Sequence, residues 1–273
     1  MELPKIKKEV KDMFLAIEID NSVINFGLFD GDRLVRSFKV ATDINKTSDE
    51  YALTVSGILG FYSINRGAVD CAAISSVVPQ LTEILLDMVR RLFGVDTKIV
   101  GKGTKTGFPI KIDNPSELGS DLVANAAAVI DICKKERISK TPCIIIDVGT
   151  ATTLFAINSR GEYIGGSILA GVEMSFGALH GNTALLPTVS AAEPARAIGK
   201  NSYESVRSGV ILGHAMMIDG FIDRFLVEMG SDSAEIFITG EYAQSVIGSC
   251  NHNMRHIPEL TLMGLACIYK NNI

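Results

Sequence analysis

Two segments of the chain repeat one arrangement of an acidic residue, a short polar loop and a second apolar run. Glu18 and Asp147 each stand at the end of an apolar run, and a phenylalanine follows each acid after eight residues, at Phe26 and Phe155. Small polar loops let backbone N–H groups and hydroxyls approach phosphate oxygens, and carboxylates bind Mg²⁺. The repeat indicates a duplicated hairpin that binds nucleotide phosphates and a cation. Two ordinary hairpins with polar turns are the alternative.

The two loops differ in how well they suit phosphate. The second loop combines a glycine with three hydroxyl side chains: Gly149, Thr150, Thr152 and Thr153. The first loop offers Asn21 and Ser22 as hydrogen-bond donors. Asp20 adds a negative charge there, and a Cβ where glycine would allow the closest approach. The second loop is therefore the stronger candidate.

Two further groups of small and polar residues could contact a substrate. A glycine-rich loop from residue 101 runs into a predicted helix that opens with Gly119, Ser120 and Asp121. The Asp121 carboxylate could accept a proton from a substrate hydroxyl, or it could simply complement the helix dipole. Thr239 and Gly240 end a predicted strand, and glycine at such a turn lets a base or ribose pack on the backbone.

Composition bounds the class of protein. The 273 residues fit one large domain or two smaller ones, and 47% hydrophobic with 21% charged residues is typical of a globular chain. The net charge of −5 disfavours nucleic-acid binding, and hence transcriptional regulation. We expect a cytoplasmic protein without membrane contact, since no apolar run is long enough to span a bilayer. Five dispersed cysteines and four histidines favour reduced core thiols over a zinc site.

Strand-like and helix-like runs alternate after residue 13, which predicts a layered α/β fold. The predicted strands cover residues 14–19, 24–29, 34–39, 70–75, 97–100, 143–148, 152–157, 162–165 and 235–239. The predicted helices cover residues 48–64, 79–93, 119–134, 171–180, 201–228, 240–249 and 261–269. A turn at residues 113–117 marks a domain seam. Residues 1–12 are a charged extension, and Met13 would itself be a natural first residue.

A series of short segments stands in a fixed order along the chain: residues 26–31, 75–79, 105–107, 113–115, 119–121, 147–153, 165–166, 183–187, 198–202, 208–209, 239–240 and 260–265. In this order they resemble the type III pantothenate kinases, members of the acetate kinase, sugar kinase, Hsp70 and actin superfamily. The resemblance runs from Phe14 to Leu265. It implies two ribonuclease-H-like domains related by internal duplication, with mixed sheets flanked by helices, over residues 13–117 and 118–273.

The resemblance also implies an activity, which is transfer of the ATP γ-phosphate to pantothenate. The product is 4′-phosphopantothenate, in the first step of coenzyme A biosynthesis. Mg²⁺ and a monovalent cation, K⁺ or NH₄⁺, are the implied cofactors. A homodimer with active sites at the subunit interface is the implied assembly. One apolar helix face around Gly209, Met216 and Gly220 could pack on a second copy, although an ordinary core helix has the same pattern.

Roles carry over residue by residue. Asp121 is implied as the catalytic base, Glu18 and Asp147 as cation ligands, and Thr183, with Gly119 and Ser120, as substrate contacts. The implied ATP-binding residues are Glu18, Asn21, Ser22, Gly149, Thr150, Thr152, Thr153, Thr239 and Gly240.

Several residues depart from the family pattern: Glu18, Asp20, Ile112, Leu122, Ala170 and Glu241. Glu18 is longer than the usual aspartate, and Leu122 stands where an arginine usually follows the base. A divergent paralogue that binds nucleotide or metabolite in a regulatory role is therefore the alternative function.

Overall fold

The computed structural model describes residues 13–138 and 140–273, so the predicted extension at residues 1–12 lies outside the described residues. Within the described residues, the strands are β1 (Met13–Ile19), β2 (Val23–Asp30), β3 (Arg33–Ala41), β4 (Val69–Ser76), β5 (Thr97–Ile99), β6 (Cys143–Val148), β7 (Ala151–Ile157), β8 (Tyr163–Ala170), β9 (Glu235–Thr239) and β10 (Arg255–His256). The α-helices are α1 (Ser48–Phe61), α2 (Pro79–Phe93), α3 (Ser120–Lys135), α4 (Val172–Gly181), α5 (Ser202–Met229), α6 (Ala243–Ile247) and α7 (Leu260–Lys270).

The first sheet has the strand order β3-β2-β1-β4-β5. The first three strands in the chain pair antiparallel, whereas β4 and β5 run parallel to β1. Helices α1 and α2 cover one face, where Tyr51 and Leu85 are buried in one cluster with Ile17 and Phe26. Burial is nearly continuous along the central strand β1, whereas the edge strand β3 is mostly exposed.

The second sheet repeats this plan, with the order β8-β7-β6-β9-β10. Strand β6 pairs antiparallel with β7 and parallel with β9, as β1 pairs with β2 and β4. Helix α5 packs its buried residues, among them Ile211 and Ile218, in a cluster with Ile144 and Ile146 of β6. The predicted α/β class, with two ribonuclease-H-like mixed sheets flanked by helices, is confirmed.

The contacts between Cα atoms divide the chain into two compact units. The first unit contains the described residues up to Lys105, with residues 119–124 and 261–273, and the second contains residues 106–118 and 125–260. Each unit holds one of the two sheets. The units are therefore interleaved in sequence, and the contiguous boundary at residue 117 stays a prediction.

Most predicted elements are present, and three differ. Strand β8 extends to Ala170, beyond the predicted end at residue 165, and α6 is shorter than the predicted 240–249. The two-residue strand β10 was not predicted at all. Helix α5 buries one face in the core and exposes Met216, which is 67% exposed. Among the described residues, no helix combines the length and apolar content needed to cross a bilayer.

Candidate active site

Asp147 lies near the end of β6, the central strand of the second sheet, and two threonines stand beside it. The register pairs Asp147 with Thr153 on β7 and with Thr239 on β9. Directly paired residues project to the same face of a sheet, so the carboxylate and both hydroxyls share one face. On that face, Asn125 of α3 donates a hydrogen bond from Nδ2 to Asp147 Oδ2 over 3.1 Å. The fold thus collects three predicted site residues and adds Asn125.

Thr152 and Thr153 have buried hydroxyl oxygens with no hydrogen-bond partner among the described residues. A buried polar group without a partner costs about 1 to 3 kcal/mol, so a hydrogen bond to either hydroxyl would be stabilising. Side chains alternate along a strand, so Thr153 shares the face of Asp147, whereas Thr152 points to the opposite face with Val148. The structure therefore brings Thr153, but not Thr152, to the Asp147 carboxylate.

The turn between β6 and β7 carries Gly149 and Thr150. It is closed by a hydrogen bond of 3.1 Å from the Gly149 N–H to the Ala151 carbonyl oxygen. Gly171, at the start of α4, packs directly on this turn. A Cβ at Gly171 would overlap the carbonyl oxygens of Gly149 and Thr150, so only glycine allows this approach.

A buried histidine holds the chain that leads into Gly171. His214 of α5 lies within hydrogen-bond distance of two carbonyl oxygens, with Nδ1 at 2.9 Å from Val210 O and Nε2 at 3.1 Å from Ala170 O. The imidazole therefore ties the end of β8 to α5. Because Gly171 follows Ala170 directly, this contact also fixes the position of Gly171 on the Gly149 turn.

The turn after β9 approaches the same strand end. Thr239 is buried, and Gly240 has a φ of +98°, which residues with side chains rarely adopt. A Cβ at Gly240 would lie 2.5 Å from Asp147 Oδ1. The Tyr242 N–H donates to the Val148 carbonyl oxygen over 2.9 Å, which holds the turn against β6.

Glu18 occupies the equivalent place in the first sheet. The register pairs it with Asn25 on β2 and with Ser75 on β4. Asn25 donates from Nδ2 to Glu18 Oε2 over 2.8 Å. In both units, therefore, the acid on the central strand is paired with a hydroxyl residue on the parallel neighbouring strand. This residue is Ser75 in the first unit and Thr239 in the second.

The first loop is organised by Asp20. Its carboxylate accepts a hydrogen bond of 2.7 Å from the Asn21 N–H, and its own N–H donates to Val23 O over 3.1 Å. Thr42 binds the loop as well, through a hydroxyl donated to Asp20 O over 2.6 Å and an N–H donated to Ser22 O over 3.0 Å. Asp20 thus engages one of the N–H groups that a phosphate would need.

Asp121 lies in the first turn of α3 and is half-buried. Burial raises the pKa of Asp121, and the negative charge of Asp20 raises it further, although hydrogen bonds from the N–H groups of Asp121 and Leu122 act against both. The side chain folds back towards Gly119, where a Cβ would overlap Asp121 Oδ1. These contacts fit a helix-start carboxylate, and the raised pKa also fits a general base.

The two remaining predicted contacts, Ser120 and Thr183, differ in their surroundings. Ser120 accepts a hydrogen bond of 2.8 Å from the Ser75 hydroxyl, which links the start of α3 to β4. Thr183 follows α4 and is exposed, and its hydroxyl donates to Leu179 O over 2.7 Å. Sequence reasoning missed Asn125 and His214. A single asparagine within the alanine-rich run of α3 was the available signal for Asn125.

The donors present fit a cation that is shared with phosphate. No group of three or more histidine, cysteine, aspartate or glutamate side chains suited to a metal occurs in the part of the chain that the structure describes. Mg²⁺ in phosphate sites is typically held by one or two carboxylates, with phosphate oxygens and water completing the octahedron. Asp147, with an oxygen oriented by Asn125, meets that requirement.

Comparison with known proteins gives consistent matches. A family model described as type III pantothenate kinase matches residues 14–224. A type III pantothenate kinase of Thermobifida fusca is 38% identical over 263 residues, covering 95% of this chain and all of the relative. One from Geotalea uraniireducens is 39% identical over 263 residues, covering 95% and 99%.

A solved structure shares the fold at low identity. It is a Campylobacter jejuni protein assigned to the Baf family of transcriptional activators, and it superposes with a TM-score of 0.58 at 18% identity. The match covers 94% of this chain and 98% of that chain. At this identity, the similarity supports the fold alone.

Proposed function

The chain belongs to the type III pantothenate kinase family, and from this premise we propose that it transfers the γ-phosphate of ATP to the primary hydroxyl of pantothenate. The observation that carries the proposal is the alignment of Asp147, Thr153 and Thr239 on one face of the second sheet. The Gly149 turn follows directly. This arrangement places a carboxylate and hydroxyl groups beside a glycine turn, which suits polyphosphate recognition.

Each side chain then has a defined task. Thr153 donates its hydroxyl to a phosphate oxygen, and Gly149 and Thr150 form the turn beside it, in which the Gly149 N–H is held by the Ala151 carbonyl oxygen. Asp147 in the second unit and Glu18 in the first are the proposed cation ligands, and a divalent cation would neutralise phosphate charge when bound. Thr239 and Gly240 border the adenosine, while Asn21 and Ser22 contact phosphate from the first loop. Thr152 supports the loop from the opposite face.

Asp121 is the proposed catalytic base. Its carboxylate accepts the proton of the pantothenate hydroxyl as that oxygen attacks the γ-phosphorus, and the bond from phosphorus to the bridging oxygen of ADP breaks. The raised pKa increases the proton affinity of the carboxylate, which favours acceptance of this proton. Gly119, Ser120 and Thr183 are proposed to contact pantothenate. A K⁺ or NH₄⁺ requirement, a homodimeric assembly and a cytoplasmic location belong to the same proposal.

A nucleotide-binding or metabolite-binding regulatory protein without turnover is the second candidate. The hydrogen bond from the Asn21 N–H to the Asp20 carboxylate favours it, because that donor is engaged and the carboxylate repels phosphate. Leu122 also removes a cationic group from the neighbourhood of the base. These features weaken ligand contacts and leave the fold intact.

Release of ADP separates the two functions. The assay uses MgATP with and without pantothenate, in K⁺ or NH₄⁺ buffer, with Asp121→Asn as the matched blank. Turnover that requires both pantothenate and Asp121 supports the kinase, and ATP binding should survive in the variant. Absence of turnover in the folded wild-type protein at high substrate concentration would leave the binding protein as the better explanation.

A further inference from the structure

Two cysteines of the second unit face each other between a helix and a strand. Cys133 lies on α3 and Cys143 is the first residue of β6, and their sulfur atoms are 3.5 Å apart. Both residues are buried, at 3% exposure each. A disulfide bond requires sulfur atoms at about 2.05 Å, so closure needs an approach of about 1.5 Å.

A cavity gives small molecules access to this pair. It has a volume of about 350 Å³, and both cysteines line it. Lys134, Lys140 and Arg160 also line the cavity. The charged groups that act on Cys133 are Arg255, which favours the thiolate, and Glu235 and Glu136, which oppose it.

We propose that Cys133 and Cys143 form a redox modification site that a small hydroperoxide converts into a disulfide. The Cys133 thiolate attacks the terminal oxygen of the hydroperoxide, which breaks the O–O bond, oxidises the sulfur to sulfenic acid and releases hydroxide from hydrogen peroxide or alkoxide from an alkyl hydroperoxide. The Cys143 sulfur then attacks the sulfenic sulfur. The S–S bond forms, the S–O bond breaks, and the Cys143 proton leaves with the hydroxyl group as water.

Either thiol can be the donor in the contact between the two sulfur atoms, and the pKa directions favour Cys133 as the attacking sulfur. A hydrogen bond from the Cys143 thiol lowers the pKa of Cys133, although burial and the charges of Glu235 and Glu136 act in the opposite direction. The same bond raises the pKa of Cys143, and burial raises it further. Cys133 is therefore the sulfur that ionises and attacks peroxide, and Cys143 is the resolving thiol.

The thiol pair is mechanically linked to Asp147. Asn125, which binds Asp147, precedes Cys133 by eight residues on α3, and Asp147 follows Cys143 by four residues on β6. Eight helical residues span about 12 Å and four strand residues span about 13 Å. The Cys133–Cys143 contact and the Asn125–Asp147 contact therefore connect α3 to β6 at two points separated by nearly the same distance along each element. We expect that drawing the sulfur atoms together moves α3 relative to β6 and weakens the contact between Asn125 and Asp147.

Mass spectrometry tests the modification without reference to any activity. The full chain is treated with hydrogen peroxide, alkylated and digested. We expect two of the five cysteines to escape alkylation, and a cross-linked peptide pair that joins Cys133 to Cys143. Cys133→Ser and Cys143→Ser should each abolish the cross-link, whereas the control Cys250→Ser should retain it. Full alkylation of the oxidised wild-type chain, or a cross-link between other cysteines, would overturn the proposal.

A second measurement tests the link to Asp147, and this part rests on the proposed function. Oxidation should raise the KM for MgATP by about tenfold, the scale expected when an outer partner of a metal ligand is lost, and dithiothreitol should reverse the change. Cys143→Ser should show no such change. If the protein turns nothing over, calorimetric titration with MgATP supplies the same comparison. If the disulfide forms without altering the KM or the affinity for MgATP, the proposed effect on Asp147 is refuted, while the modification site itself stands.

Discussion

Asp121 combines a polar helix start with burial, and its protonation should control the rate. The carboxylate must be ionised to accept a proton, so activity is present at high pH and lost as the pH falls through the pKa. Because burial raises that pKa above the ordinary value of 3.8, the acidic limb of kcat/KM should lie above pH 3.8. A pH profile of initial rates measures the limb. Asp20→Asn should move it to lower pH, and an unmoved limb would exclude this charge as a cause.

The same raised pKa has a consequence for stability. A carboxyl group whose pKa is higher in the folded state stabilises the fold when protonated, and this stabilisation is lost as the pH rises through the folded pKa. The ionised Asp121 therefore destabilises the fold at pH 7, and Asp121→Asn should raise the midpoint of urea unfolding there. Turnover should fall by about 10²- to 10⁴-fold. An unchanged rate would show that Asp121 is only a helix-start carboxylate.

Asn125 orients Asp147 and should influence cation binding more than the chemical step. Asn125→Ala removes the hydrogen bond to Asp147 Oδ2 and should raise the KM for MgATP by about tenfold, with a smaller change in kcat. Steady-state kinetics at varied Mg²⁺ separates the two constants. The control is Asn45→Ala, which removes an exposed asparagine in the first unit. An equal rise in the KM for MgATP in both variants would show that Asn125 has no special role in cation binding.

The strands and helices could be predicted wherever the local pattern of apolar residues agrees with their burial in the fold. The apolar runs of β1 and β6 are central strands buried by their neighbours, so their sequence alone marks them. Strand β8 was predicted too short because Gly165 and Gly166 disfavour a strand, yet a Cβ at Gly166 would lie 2.7 Å from Phe155 Cβ, so close pairing with β7 requires a glycine. Strand β10 is too short to show a period.

The candidate site residues proposed from the sequence lie within single loops, whereas Asn125 and His214 depend on partners from other parts of the chain. Asp147, Gly149 and Thr153 stand within one short segment of recognisable composition. Asn125 and His214 act through partners 22 and 44 residues away, so their contacts exist only once the helices pack on the second sheet. No local pattern encodes such a pairing.

The packing of α4 on the Gly149 turn can be tested with a pair of glycines from one helix segment. Gly171→Ala places a methyl group against the carbonyl oxygens of Gly149 and Thr150, which should displace the turn and raise the KM for MgATP. Gly177→Ala has open space and should leave KM unchanged while stabilising α4 by about 0.5 to 1 kcal/mol. Kinetics and thermal melts distinguish the two. A normal KM in Gly171→Ala would place ATP away from this turn.

At the scale of the whole molecule, the two sheets share one strand order but differ in chemistry. Each central strand carries an acid beside a hydroxyl residue of its parallel neighbour, Glu18 with Ser75 and Asp147 with Thr239. The turns that follow differ. The second turn carries Gly149, while the first carries Asp20, whose carboxylate engages the Asn21 N–H. The two halves therefore share one architecture and differ in the residues of the turn that follows the acid.

This difference between the units leads to a double substitution that makes the first loop resemble the second. Glu18→Asp with Asp20→Gly removes one negative charge and releases the Asn21 N–H. If this loop meets phosphate, the KM for MgATP should fall by roughly fivefold, equivalent to about 1 kcal/mol for unit charges 4 Å apart in water. Asp96→Gly, which removes the same charge from an exposed loop, should have no effect. An unchanged KM in the double variant would mean that only the second unit contacts the nucleotide phosphates, and the regulatory function would then gain support.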